Sequence, residues 1–254
     1  MKLLLITLFV FVLSGTAYSD DKITPFQFSL FSPVQVFDSD YSVYGLRTNL
    51  IYGYNRNIYG LDVGCVNNVR NEAKAIQTGL WNTVDQTFKG IQLSPLVNQV
   101  GDDSLGLQLA FVMNTAPDNS VFTGVQASIY NTGGIKGIQI GAMNGGQRET
   151  WVYRDTGKYA YSKNSNEGSV SGFQLAGWSN ICVSASGGQI APLYNESSVL
   201  TGFQVGFYNN AQFTSGLQLG VINTSENLKG VQVGLINYIK NGSIKFLPIV
   251  NYGF

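Results

Sequence analysis

Hydrophobic and polar residues alternate with a period of two along most of this chain, and the alternation comes in copies of one short unit. Between Ser215 and Asn237 the unit appears twice, as GLQLGVIN and GVQVGLIN, with Gln218 and Gln232 14 residues apart. Leu217, Leu219 and Val221 point one way while Gly216, Gln218 and Gly220 point the other, as successive side chains of a strand do. The central glutamine recurs as Gln77, Gln92, Gln108, Gln126, Gln139, Gln174, Gln189, Gln204, Gln218 and Gln232. Arg47 and Asp62 take its slot near the start, and Lys245 takes it near the end. An asparagine closes most units, from Asn67 through Asn251. The 35-residue gap from Gln139 to Gln174 is expected to hide a degenerate copy around Trp151 to Tyr161. Between units lie NTSEN, NTGG and NESS, which are turn residues because Asn and Gly tolerate left-handed conformations and Ser and Asn bond their own backbone.

A repeated single strand can build two architectures. One is an antiparallel outer-membrane β-barrel of about 12–14 short strands, and the other a parallel β-solenoid with one coil per unit. The single-strand period favours the solenoid, because the natural repeat of an up-and-down barrel is a hairpin. Three features favour the barrel. G-x-Q-x-G reads the same in both directions. The short polar linkers offer no second wall to cover the leucines, whereas they close hairpins readily. A Leu/Val stripe backed by a Gly/Gln stripe also suits lipid outside and a polar lumen inside. The fold expected from the sequence is therefore all-β and an antiparallel transmembrane barrel, with the solenoid as the alternative. Tyr54-Asn55-Arg56-Asn57 reads as one of its hairpin turns.

Composition sharpens the class. Residues 1–19 read as a signal peptide, with Lys2, an apolar run and an Ala17-Tyr18-Ser19 cleavage site, leaving 20–254 as one repeat-built domain. Net charge is +0 and charged residues are only 12% of the chain, which gives no reason to expect nucleic acid as a partner. The chain contains 0 His, which removes a Ser-His-Asp site and an imidazole metal site. No catalytic, cofactor-binding or metal residue is expected, and the protein reads as a non-enzyme. Asp102-Asp103 fits a solvated turn better than a calcium loop. Arg47 and Asp62 are placed either to pair on the inner face or to stand as two solvated charges. Cys65 and Cys182 are read as two lone thiols rather than a disulfide. The glutamine series is read as an interior ladder rather than a carbohydrate site. Charge and aromatics rise together in residues 146–170, where TWVYRD-TGK-YAYSK looks like a longer hairpin and the first place to seek a surface ligand.

The tandem G-[LIV]-Q-[LIV]-G-x-x-N units, the YGLRTNLIYG and YGLDVG segments, and the FLPIVNYGF end resemble a group of bacterial surface-repeat proteins over most of residues 42–254. The terminal Phe254, with Tyr252, Val250, Pro248 and Phe246 before it at every second position, is similar to the strand that outer-membrane barrels present to their assembly machinery. The resemblance implies export and placement in the bacterial outer membrane or at the cell surface, with the lipid bilayer and that machinery as partners. It implies no activity and no cofactor. The expected role is structural, a passive pore or surface interaction, the alternative being a surface solenoid acting as adhesin or scaffold.

Overall fold

The computed structural model describes residues 22–117, 120–145 and 168–254, together with the backbone of Val152–Arg154 and Lys158–Ala160. The expected signal peptide lies outside the described residues.

The repeat units stack in parallel. Leu46 pairs with Leu61, Leu61 with Ile76, Ile76 with Ile91, and Gln77, Gln92 and Gln108 stand side by side in the same register. Each unit contributes two strands, one carrying the glutamine and one the asparagine. Asn67, Asn82, Asn98, Asn114 and Asn131 therefore stack as a second column. The chain winds through these two walls for about 11 turns as a parallel β-solenoid. Successive coils bond through their backbones, as where Val43 N donates to Asn57 O (2.9 Å) and Ile58 N to Glu72 O (3.0 Å).

This arrangement overturns the antiparallel, transmembrane barrel. A Cβ placed on Gly234 would lie 2.0 Å from Gly220 O, so those two glycines are stacked neighbours and not hairpin partners. Ser42–Asn55 and Ile58–Val69 run parallel, so Tyr54 to Asn57 is a coil-to-coil turn rather than a hairpin. The barrel was favoured because a solenoid was expected to need a cover for its leucines. The leucines are not its core.

Four columns fill the interior. Two are apolar, one running through Val43, Ile58, Ala73 and Phe88 and the other through Val69, Val84 and Val100. The two apolar columns pack against each other, and beside them, toward the corner that joins each glutamine strand to its asparagine strand, lie the two amide columns, fully buried. Each glutamine donates from Nε2 to Oε1 of the glutamine one coil earlier: Gln92 to Gln77 (2.8 Å), Gln108 to Gln92 (2.7 Å), and so on to Gln232 on Gln218 (2.8 Å). Each asparagine donates the opposite way along the stack, Asn67 to Asn82 (2.7 Å) and Asn82 to Asn98 (2.9 Å). Its second N–H reaches the carbonyl at the end of the next glutamine strand, Asn67 to Thr78 O (3.0 Å) and Asn82 to Leu93 O (2.9 Å). That bond ties the corner where the chain leaves one wall for the other. A buried amide is tolerable only when bonded, and identical residues in parallel register bond one another indefinitely.

Asp62 fixes the direction of the glutamine column. Its carboxylate only accepts, so Gln77 must offer it Nε2 (2.9 Å), which turns every later carbonyl toward the C terminus. Arg47 completes the start by gripping Asp62 through two bonds of 2.7 and 2.6 Å, both side chains being 0% exposed. One coil further out Gln27 clamps the covering segment, accepting from Phe37 N (3.0 Å) and donating to Phe37 O (2.6 Å). At the far end Phe246–Gly253 reverses direction and caps the last coil, with Asn251 opposite Gln232. Asn251, not Lys245, therefore occupies the glutamine slot, and Lys245 is exposed in the reversal. The terminal strand is thus a lid on a solenoid end and not the closing strand of a barrel. Pro248 sits where the pairing register shifts, beside Ile249 at φ 71°, a place that needs no ladder donor from it.

The glycine ahead of each glutamine has its own cause. Gly216 adopts φ 141°, and a Cβ there would meet Gly202 O at 1.9 Å. Ala75 holds the same position in its coil without a positive φ and keeps a strict in-out alternation through Ala73, Ala75 and Gln77. No coil hides between Gln139 and Gln174: Gln174 donates directly to Gln139 (2.8 Å) and Gly137 pairs with Gly172. Residues 146–167 are an insertion between adjacent coils, in which Val152–Arg154 pairs antiparallel with Lys158–Ala160 as the expected hairpin would.

Two outcomes follow for stability. Gln218→Ala removes a rung, orphaning Gln204 Oε1 and one Gln232 N–H, and should cost about 2–6 kcal/mol in urea unfolding at ~1–3 kcal/mol per unsatisfied group. The exposed Leu219→Ser should shift stability by less than about 1 kcal/mol; equal effects would place the glutamines outside the core. Asp62→Asn should cost about 3–5 kcal/mol by stranding the Arg47 charge. The double variant R47Q/D62Q should recover most of that loss, since it extends the amide column.

Candidate functional site: the apolar side of the solenoid

The buried polar interior leaves the aliphatic residues outside. On the glutamine wall, two outward rows run the length of the stack, one through Leu46, Leu61, Ile76 and Leu217, the other through Val63, Leu93, Leu109 and Leu219. At the corner a third row passes through Leu80, Leu96, Ile129, Leu193 and Leu235, the last 68% exposed. The asparagine wall adds Trp81, Tyr130, Met143 and Ile236. Trp178 (61% exposed) and Phe111 (70%) stand on the same corner. With coils about 4.8 Å apart, the patch is about 50 Å long and on the order of 1,000 Å² in area, against the few hundred Å² that monomers ordinarily expose.

The opposite edge, where each coil returns from the asparagine wall to the glutamine wall, is polar. It carries Asp85, Asp102, Asp103 and Glu226, with Lys240 paired to Glu226 at 2.8 Å. The two apolar interior columns lie beneath this edge, and the amide columns beneath the apolar corner. The cross-section is thus inverted twice, with polar over apolar on one side and apolar over polar on the other.

The groups singled out in the sequence fall into place unevenly. Arg47 and Asp62 do pair, but as a buried structural terminus. Asp102 and Asp103 are exposed, and Asp103 accepts from Val121 N (2.7 Å). Among the described residues no cluster of three or more His, Cys, Asp or Glu could hold a metal ion. Most of residues 146–170 lies outside the described residues. Cys65 is exposed and Cys182 buried, and both are free thiols. Burial, with a smaller contribution from Glu196, pushes the Cys182 thiol up to about 12; Gln189 Nε2 lies 3.4 Å from its sulfur.

One border of the apolar side is basic, and no sequence motif marked it. The outward position before each column glycine is Tyr44, Tyr59, Lys74, Lys89, Lys136 or Lys229 in six of the coils. Tyr44 and Tyr59 lie ring against ring at 4.4 Å, and Lys74 Nζ stands 5.4 Å from the Tyr59 centroid. Tyr59 donates to Glu72 (2.9 Å), and burial together with that carboxylate raises the phenol well above its ordinary range. Burial pushes the Glu72 carboxyl upward, but its bonds to Lys74 and Tyr59 outweigh this and hold it below the ordinary range. On the other border Tyr194 and Tyr208 stack at 5.4 Å.

The thiols report which residues face out. At pH 8 the native protein should titrate one thiol rapidly, at Cys65, and Cys182 only after unfolding, because its protonated form persists to about pH 12. Comparable rates for both would contradict the interior placement of the Cys182 column. Comparison with protein-family models, curated proteins and solved structures finds no match, so the function is read from this surface.

Proposed function

We propose that the protein is a non-catalytic, exported surface β-solenoid, a scaffold held on a lipid bilayer by its apolar side. The observation that carries this reading is the long, largely apolar side over a polar interior, facing away from an edge that holds Asp85, Asp102, Asp103 and Glu226. Adjacent coils pair backbone to backbone along the glutamine wall, so its described residues meet hydrocarbon with their ladder bonds already made, which is the condition for meeting an apolar medium. The charged opposite edge keeps the molecule in the interface rather than across it, as for other bodies that lie in a membrane surface. Burying a quarter of the patch, at ~25 cal/mol per Å², is worth about 6 kcal/mol before the costs of association. Export accords with the pattern of residues 1–19, and a non-catalytic role with the lack of histidine.

The test is vesicle flotation with L217S/L219S/L235S as the comparison, three exposed positions in neighbouring coils. The wild type should co-float with phospholipid vesicles. The triple variant, with an unchanged far-ultraviolet spectrum, should lose most of that binding. A wild type that stays monomeric in detergent-free buffer and never floats would overturn the reading. A concentration-dependent dimer indifferent to vesicles would replace the bilayer with a second copy of the chain.

A further inference from the structure

The border of the apolar side nearest the column glycines holds Lys74, Lys89, Lys136 and Lys229, all exposed, and no Asp or Glu falls in that row. Lys74 is engaged by Glu72 at 3.0 Å. Among the described residues no ion pair ties down Lys89, Lys136 or Lys229. The opposite border, two residues outward from the Tyr194–Tyr208 row, carries Glu196 and no Lys or Arg. Charge is therefore arranged by side, although the chain as a whole is neutral.

A lysine two residues from an outward leucine or valine can lay its stem along the apolar surface and extend its ammonium beyond it, as Lys229 can over Val231. Tyr44 and Tyr59, in the same row, present apolar rings with a polar tip, the chemistry that settles at headgroup level. Once the apolar rows enter the acyl boundary, these ammonium groups come level with the phosphates.

We propose that this lysine row selects a bilayer carrying anionic headgroups, and so orients the solenoid with its glutamine wall toward the membrane. The proposal rests on the reading that the apolar side meets lipid. A lysine near an anionic surface gains about fivefold in binding, so three unpaired lysines give a preference on the order of a hundredfold at low ionic strength, shrinking as salt screens it.

The experiment compares flotation of the full chain on neutral phosphatidylcholine vesicles and on vesicles with one third phosphatidylglycerol, at low and high salt. The wild type should bind the anionic vesicles on the order of a hundredfold more tightly at low salt and lose most of that margin at high salt. K89Q/K136Q/K229Q, folded by circular dichroism, should retain binding to neutral vesicles and lose the anionic preference. Equal wild-type binding to both vesicles, or a triple variant that keeps the full preference, overturns the lysine assignment and leaves the apolar side as a docking surface. Binding to neither vesicle overturns both.

Discussion

The structure depends on one constraint: a glutamine amide and an asparagine amide are buried in every coil, and each must find partners. Parallel stacking of like on like solves this at every level, because the residue above presents the same group in the same place. An antiparallel neighbour would bring a glutamine opposite a glutamine only at one register and would leave the asparagine corner bond without its carbonyl. The architecture is therefore chosen by the polar interior rather than by the apolar residues. Both columns run one way along the stack but in opposite senses, so their amide dipoles oppose one another. Each leaves one oxygen without a partner at its accepting end, Gln232 Oε1 and Asn49 Oδ1.

Column direction makes the two ends chemically different. The start of the glutamine column needs a group that accepts without donating, and a carboxylate is the side chain that does so; being buried, it needs a cation. Arg47 supplies this and spends its remaining donor on Asn68 O (2.9 Å) and Asn55 Oδ1 (3.4 Å). A buried ion pair of this kind is weak as a source of stability but strong as a source of specificity, because only one column direction satisfies it.

Much of this was legible in the sequence, and the part misread has a physical cause. Period-two alternation identified the strands, and the side assigned to Gln218 and the side assigned to Leu219 both stand. The pairing of Arg47 with Asp62 was visible as a shared slot. The topology is where the sequence misleads, because an apolar solenoid core makes outward leucines an argument against a solenoid, and this core is largely amide. The asparagines read as turn residues because Asn favours turns, yet they point inward and tie the corner. Spacing alone points to Lys245 for the glutamine slot, and the chain reversal before Phe246 breaks that count. The lysine border was invisible because its row varies from Tyr to Lys to Thr and makes no motif; only stacking brings Lys89, Lys136 and Lys229 to one line.

The corner bond also explains where the chain can vary. From each glutamine to the asparagine that follows there are 5 or 6 residues, as from Gln77 to Asn82 and from Gln92 to Asn98. A longer corner would carry the asparagine N–H away from its carbonyl. From each asparagine to the next glutamine the distance runs from 8 residues, Asn131 to Gln139, to 30, Asn144 to Gln174. Extra residues thus fall in the interval that spans the polar edge, and residues 146–167 belong to that interval, between Gly145 and Gly168. The fixed corner length is required by the amide bond and is not itself a sign of docking. Its consequence is that the apolar side stays free of protruding loops and the polar edge collects them. A flat, ridge-free surface on one side and elaborated turns on the other is the shape that lets a solenoid lie on a bilayer with its variable segments turned toward water.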